Sequence, residues 1–143
     1  MRIYRSFRNT GICVLLDCGK RDDLQPIGRR FAMQALNIIR GGCDGSFAPT
    51  IKSAVWRGDT VELQFNDSRG GFKVLDPDPG GFEVCGTDGV YYPAFADVAG
   101  ERIFLSSEHV EQPVAARYLW RSCMEIRLLS AFGLPLAPFS ITM

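Results

Sequence analysis

The period of hydrophobic positions along the chain changes near residue 50. Before it, residues 11–17 (Gly-Ile-Cys-Val-Leu-Leu-Asp) form an unbroken apolar run bounded by Gly11 and Asp17. Such a run suits a strand buried on both faces, as in a parallel α/β sheet. A polar loop from Cys18 to Gln25 follows, and Pro26 takes a first-turn position with Asp22 and Asp23 upstream to cap the helix or favour its N-terminus. From Ile27 to Arg40 the period is helical. Ile27, Phe31, Ala35 and Ile38 form one stripe, widened by Ala32, Leu36 and Ile39, while Arg29, Arg30, Gln34, Asn37 and Arg40 fall on the other side. Gly41-Gly42 stops the helix. The unit is strand–loop–helix, its basic side reading as a solvated face.

Beyond residue 50 the period is two. Ile51 to Trp56 reads as a strand, Arg57-Gly58-Asp59 as a turn, and Thr60 to Phe65 as the partner strand, with Val61, Leu63 and Phe65 on one face and Thr60, Glu62 and Gln64 on the other. Phe82 to Cys85, Tyr91 to Val98 and Arg102 to Ser106 are further strands, separated by Thr87-Asp88-Gly89 and Ala99-Gly100-Glu101. Val114, Ala116, Tyr118 and Trp120 alternate along a last strong strand. The tail, Leu128 to Met143, is apolar but broken by Pro135 and Pro138, and reads as an irregular covering segment. Short strands with regular turns predict a mainly β fold: an antiparallel β-sandwich preceded by a strand–helix unit. A lone strand and helix cannot complete an α/β domain, because their apolar faces need neighbours. The chain therefore divides into residues 1–42, an α/β remnant, and residues 43–143, a sandwich module.

Charge supports that division. The 143 residues carry 16 basic and 16 acidic side chains. Residues 1–40 hold eight basic groups against three acidic ones, a net of +5, so the rest sums to −5. Overall neutrality argues against a nucleic-acid-binding module, which carries a basic excess. At 46% hydrophobic residues the chain can bury a core. No apolar run reaches the roughly 20 residues of a membrane span. Arg2, Arg5 and Arg8 before Ile12–Leu16 imitate a signal peptide, but five apolar residues are too few for one. The expected setting is cytoplasmic.

Five cysteines (Cys13, Cys18, Cys43, Cys85, Cys123) include no C-x-x-C pair, and His109 is the only histidine. Zinc sites, two-histidine metal sites and thioredoxin-like chemistry are therefore unsupported, and reduced, buried thiols are expected. Asp76-Pro77-Asp78-Pro79-Gly80 lacks the glutamate of an EF-hand and reads as a rigid turn. The expectation is no metal and no cofactor.

Several stretches together resemble the carboxyl-terminal part of sialate O-acetylesterases, carbohydrate esterases of the SGNH/GDSL-like class. They are Leu16-Asp17-Cys18-Gly19, Asp22-Asp23-Leu24-Gln25-Pro26 and Ile27-Gly28-Arg29-Arg30-Phe31-Ala32. Further along come Gly81-Phe82-Glu83-Val84, Asp88-Gly89-Val90-Tyr91-Tyr92-Pro93-Ala94, Leu105-Ser106-Ser107, Pro113 to Trp120, and Gly133 to Phe139. The resemblance implies that residues 11–40 match the last strand, loop and helix of a catalytic α/β domain, and residues 50–143 a β-rich module. It also implies deacetylation of sugar hydroxyls by Ser–His chemistry. The segment bearing the nucleophilic serine has no counterpart in these stretches.

One departure matters most. Where the family carries Asp-Ile-His-Pro, this chain reads Asp23-Leu24-Gln25-Pro26. The general-base histidine falls on Gln25, whose amide cannot accept and return a proton near neutral pH. Asp22 or Asp23 then represents either the orienting acid or simply a helix cap. His109, in Ser106-Ser107-Glu108-His109-Val110, reads as an exposed loop residue rather than a replacement base. Trp56, Tyr92 and Trp120 could stack on a sugar ring or belong to the sandwich core and rim.

The leading expectation is thus a truncated sialate O-acetylesterase-like protein without esterase activity alone. Two alternatives stand beside it: a non-catalytic carbohydrate-binding or subunit-assembly module, and esterase activity completed by a partner. The partner is either a second copy of the chain or a missing catalytic domain; a glycan is the candidate ligand.

Overall fold

The computed structural model describes residues 10–18, 24–42, 45–120 and 125–143. They form one helix, α1 (Gln25–Arg40), and ten strands. The strands are β1 (Thr50–Arg57), β2 (Thr60–Asn66), β3 (Phe72–Val74), β4 (Phe82–Cys85), β5 (Tyr91–Pro93), β6 (Phe95–Ala99), β7 (Arg102–Ser106), β8 (Ala115–Tyr118), β9 (Leu128–Ser130) and β10 (Phe139–Thr142). The fold is mainly β, with one sheet ordered β1-β2-β7-β6, a second ordered β10-β8-β4-β5, and a small pair β3-β9. Every pairing is antiparallel.

The period-2 pattern explains the core. Val61 and Leu63 of β2 are fully buried, as are Ile103 and Leu105 of β7. They meet Phe82 and Val84 of β4, Ala116 and Tyr118 of β8, and Phe139 of β10. The Tyr118 ring lies 4.3 Å from that of Phe82 and 6.0 Å from that of Phe139. Burying a side chain of this size is worth about 1.5–3 kcal/mol, so these positions hold the two sheets together.

Three features differ from the sequence pattern. The stretch Tyr91–Val98 is two strands in different sheets: Pro93 ends β5, and Phe95 begins β6 across the sandwich. The alternation continues through the crossing and so leaves no mark of it. Trp120 lies outside the last strand, because Leu119 adopts φ +49° after Tyr118 and turns the chain off the sheet. The tail is not irregular covering. Its prolines sit outside the strands, leaving Phe139–Thr142 free to pair with β8 as a sheet edge.

The N-terminal unit departs further. Residues 11–17 form no strand: no sheet partner lies beside them among the described residues. Their backbone carbonyls are taken by helix side chains instead, Gln34 Nε2 donating to the Ile12 oxygen at 2.8 Å and Arg30 Nη1 to the Val14 oxygen at 2.6 Å. Gly11 passes so close that a Cβ would overlap the Gln34 amide. Part of the expected solvated face of α1 is therefore turned inward, with Gln34 4% exposed and Arg30 half-buried, while Arg29 and Arg40 stay exposed. The apolar stripe points outward, leaving Phe31, Leu36 and Ile39 at 51%, 42% and 78% exposure. Val14 alone of the run is buried, against Ala48, Ala137 and Leu134.

Candidate functional site

Gln25 opens onto a cleft where α1 meets the sandwich. Gln25 is the first residue of α1 and Pro26 lies in its first turn. Asp22 and Asp23 lie outside the described residues. The N-cap position itself is Leu24, which offers no side-chain acceptor. The cleft encloses about 480 Å³ between Gln25, Arg29, Arg30 and Met33 on the helix side and Ser46, Phe132 and Leu134 on the other. Gly45 stands at φ +74° against the Phe132 ring, where any Cβ would overlap the aromatic carbons. Glycine is thus required for that wall to close. A second cleft of about 370 Å³ shares Gly45, Ser46 and Phe132 and adds Asn37, Asp67 and Arg69.

The electrostatics are cationic. Arg30 forms a two-pronged pair with Asp17, at 2.7 and 2.5 Å, while holding the Val14 carbonyl. The Asp17 hydrogen bond raises the guanidinium pKa, against the opposing pull of burial. The Cys13 thiol is pushed up by burial, with Arg30 drawing it partly back. Arg29 is exposed and carries no side-chain partner among the described residues. The cleft can therefore hold an anionic or hydroxyl-rich group. Its described lining contains no histidine or carboxylate, and the amide of Gln25 does not titrate near neutrality.

The other sequence candidates lie elsewhere. His109 is on the turn after β7, exposed, its ring 5.3 Å from that of Tyr92. It lines a separate cleft with Pro93, Phe95, Ser106, Ser107 and Glu108. Trp56 sits on β1, an outer strand of one sheet, and Tyr92 on β5, an outer strand of the other. Both rings pack partly against the core. Trp120, beyond β8, is 58% exposed. Trp56 and Tyr92 occupy opposite edges, since β1 lies against β10. The Arg30–Asp17 latch went unread in the sequence. Its signal was Arg30 and Gln34 one turn apart, aligned with the carbonyls of a run that had no sheet to join.

Two comparisons find nothing: no family model and no curated protein matches the chain significantly. Among solved structures, a carbohydrate acetylesterase from Xanthomonas citri is similar, with a TM-score of 0.77 and 29% identity. The likeness is to a carbohydrate esterase. It covers 83% of this chain and 28% of that enzyme, so this chain spans less than a third of the enzyme's length. Among the described residues, no helix is long and apolar enough to cross a membrane, and no group of three histidine, cysteine or acidic side chains is placed to hold a metal ion.

Proposed function

We propose that this chain is the β-rich part of a sialate O-acetylesterase-like system and has no esterase turnover by itself. The observation that carries the reading is its correspondence to 28% of a carbohydrate acetylesterase at 29% identity. The residues quoted for the sialate family support the finer assignment. So does the exposed Arg29 in the junction cleft, a cation for the carboxylate of an acidic sugar. Gln25 at the base position supports the lack of turnover. Residues 1–42 then belong with an SGNH-like α/β body, and residues 43–143 are the accessory module.

The test is hydrolysis of an O-acetylated sialic acid and of p-nitrophenyl acetate by the purified chain. No enzymatic turnover of either is expected. Turnover abolished by a single substitution such as Ser46→Ala or His109→Asn overturns the reading.

A partner follows from α1, where Phe31, Leu36 and Ile39 are exposed, as are Leu15 and Leu16 of the preceding segment. Exposed apolar side chains grouped on one helix mark an interaction site. The occupant proposed is an α/β esterase body. Sedimentation of the chain alone should give a monomer, and self-association lost in Phe31→Ser/Ile39→Ser would assign the face to a second copy.

A further inference from the structure

On the sandwich, away from the junction cleft, one exposed aromatic side chain is shared by the linings of two surface grooves. Phe95 opens β6 and is 68% exposed, whereas Ala96 beside it is 5% exposed. Phe95 and Asp97 therefore share the outer face of the sheet, opposite Ser106 and Phe104 of β7. The Phe95 ring is a wall between two clefts. One, of about 450 Å³, adds Pro93, Ser106, Ser107, Glu108 and His109. The other, of about 420 Å³, adds Val74, Leu75, Asp76, Pro77 and Asp97. Both are open grooves on the sheet surface rather than enclosed cavities, a shape that suits an extended chain.

The site is held in place before any ligand arrives. Pro93 and Ala94 carry the chain tautly from one sheet to the other, with the Ala94 amide donating to the Phe82 oxygen at 3.0 Å. Ser107 Oγ donates to the Pro93 oxygen at 2.9 Å, fixing the turn after β7 to that crossing. The His109 ring lies against Tyr92. By contrast, the polar groups facing the clefts are uncommitted. The side chains of Asp97, Ser106, Glu108 and His109 make no hydrogen bond or ion pair among the described residues. Cations near this face are already paired, Arg127 with Asp76 at 3.5 Å and Glu125 at 3.1 Å, and Arg102 with Glu62 at 2.9 Å.

We infer that Phe95 and its two clefts bind a neutral oligosaccharide, one sugar residue on each side of the ring. The C–H groups on one face of a pyranose are weakly positive and meet the negative face of the aromatic ring. Its hydroxyls then donate to Asp97 and Glu108 and exchange hydrogen bonds with Ser106 and His109. The same carboxylates repel a carboxylated sugar, so this site and the cationic junction cleft select opposite ligands. The site stands whether or not the acetylesterase relation extends to chemistry, since it uses none of the junction residues.

Calorimetric titration of the whole chain with cellohexaose, xylohexaose and mannohexaose, and with 3′-sialyllactose as the acidic control, tests the inference. At least one neutral hexaose should bind at up to about 10 mM, the weak end of specific recognition, and sialyllactose should not compete with it. Phe95→Ala should weaken that binding about tenfold, Phe95→Trp should keep it, and Asp97→Asn should weaken it about threefold, because stacking contributes more than one exposed hydrogen bond. Phe95 lies outside the core, so the variants should melt with the parent. Three flat titrations would overturn the inference, as would binding unaffected by Phe95→Ala. Phe95-dependent dimerisation along the open β6 edge would also overturn it, assigning the ring to a protein contact instead.

Discussion

The sandwich and the helix unit bury opposite kinds of residue. On β2, Val61 and Leu63 are fully buried, and the polar partners point to the other side of the sheet. On α1, Gln34 is buried and Ile39 is 78% exposed. Both segments are amphipathic, so pattern strength is not the difference. The sandwich supplies its own second apolar surface, two sheets facing each other. Residues 11–17 have no neighbouring strand among the described residues, and their carbonyls still need donors. A buried unpaired carbonyl costs about 1–3 kcal/mol. Arg30 and Gln34 meet that demand, which turns the polar side of α1 inward and leaves its apolar side facing water.

The largest expected contrast comes from truncating one apolar residue in each region. Leu63→Ala should destabilise the sandwich by about 2–5 kcal/mol in urea titration, through lost transfer energy and the cavity left behind. Ile39→Ala should change stability by no more than about 0.5 kcal/mol. Equal losses would break the comparison, because the helix face would then be covered in solution.

Arg30→Leu comes next. Losing the latch should loosen residues 10–18 by about 1–3 kcal/mol, seen as faster amide exchange there and unchanged exchange in β2 and β7. Faster exchange throughout would mean that the two regions unfold as one unit.

Tyr118→Phe sharpens the sandwich half. The Tyr118 hydroxyl is buried without a hydrogen-bond partner among the described residues, so the substitution should stabilise the fold by about 1 kcal/mol in thermal melting. Burial also raises the phenol above its ordinary 10.0. In the unfolded chain it ionises near that value, so stability should be intact below pH 10 and fall as the pH rises beyond it. Tyr118→Phe should flatten that alkaline limb, and an unchanged limb would sink the assignment.

The smallest effect concerns Glu62, on the outer face of the first sheet yet 2% exposed. Gln64 donates to it at 3.2 Å, and Arg102 and Arg57 pair with it at 2.9 and 3.2 Å. The Gln64 hydrogen bond and then the two arginines hold its carboxyl below the ordinary 4.5, against the opposing pull of burial. Its contribution should be present above pH 4.5 and lost as the pH falls below that value. Glu62→Gln should flatten the acid limb of the melting temperature, most visibly at low salt because both arginines are exposed.

Local pattern was enough for β1, β2, β4 and β7, where alternation and flanking turns agree. It failed at Pro93, where one alternating run serves two sheets, and at Phe139–Thr142, where flanking prolines suggested an irregular tail. The candidate site was legible only at Gln25, whose amide is no base wherever it lies. Its cleft was not legible, because Met33, Ser46 and Phe132 come from segments far apart in the chain. Phe95 was hidden for a related reason. Within an alternating strand it reads as one more apolar residue, and only the crossing at Pro93 sets it on the outer face.

The amino-acid sequence by itself determined that the chain is mainly β, that its core draws on one face of each strand, and that no base stands at position 25. Tertiary structure alone decided that α1 buries its polar side, that Tyr91–Val98 divides between sheets, and that Phe95 rather than a tryptophan forms a wall between two clefts. The reason is physical: a periodic pattern states which residues share a face, but whether that face meets water or protein depends on the neighbours the rest of the chain provides.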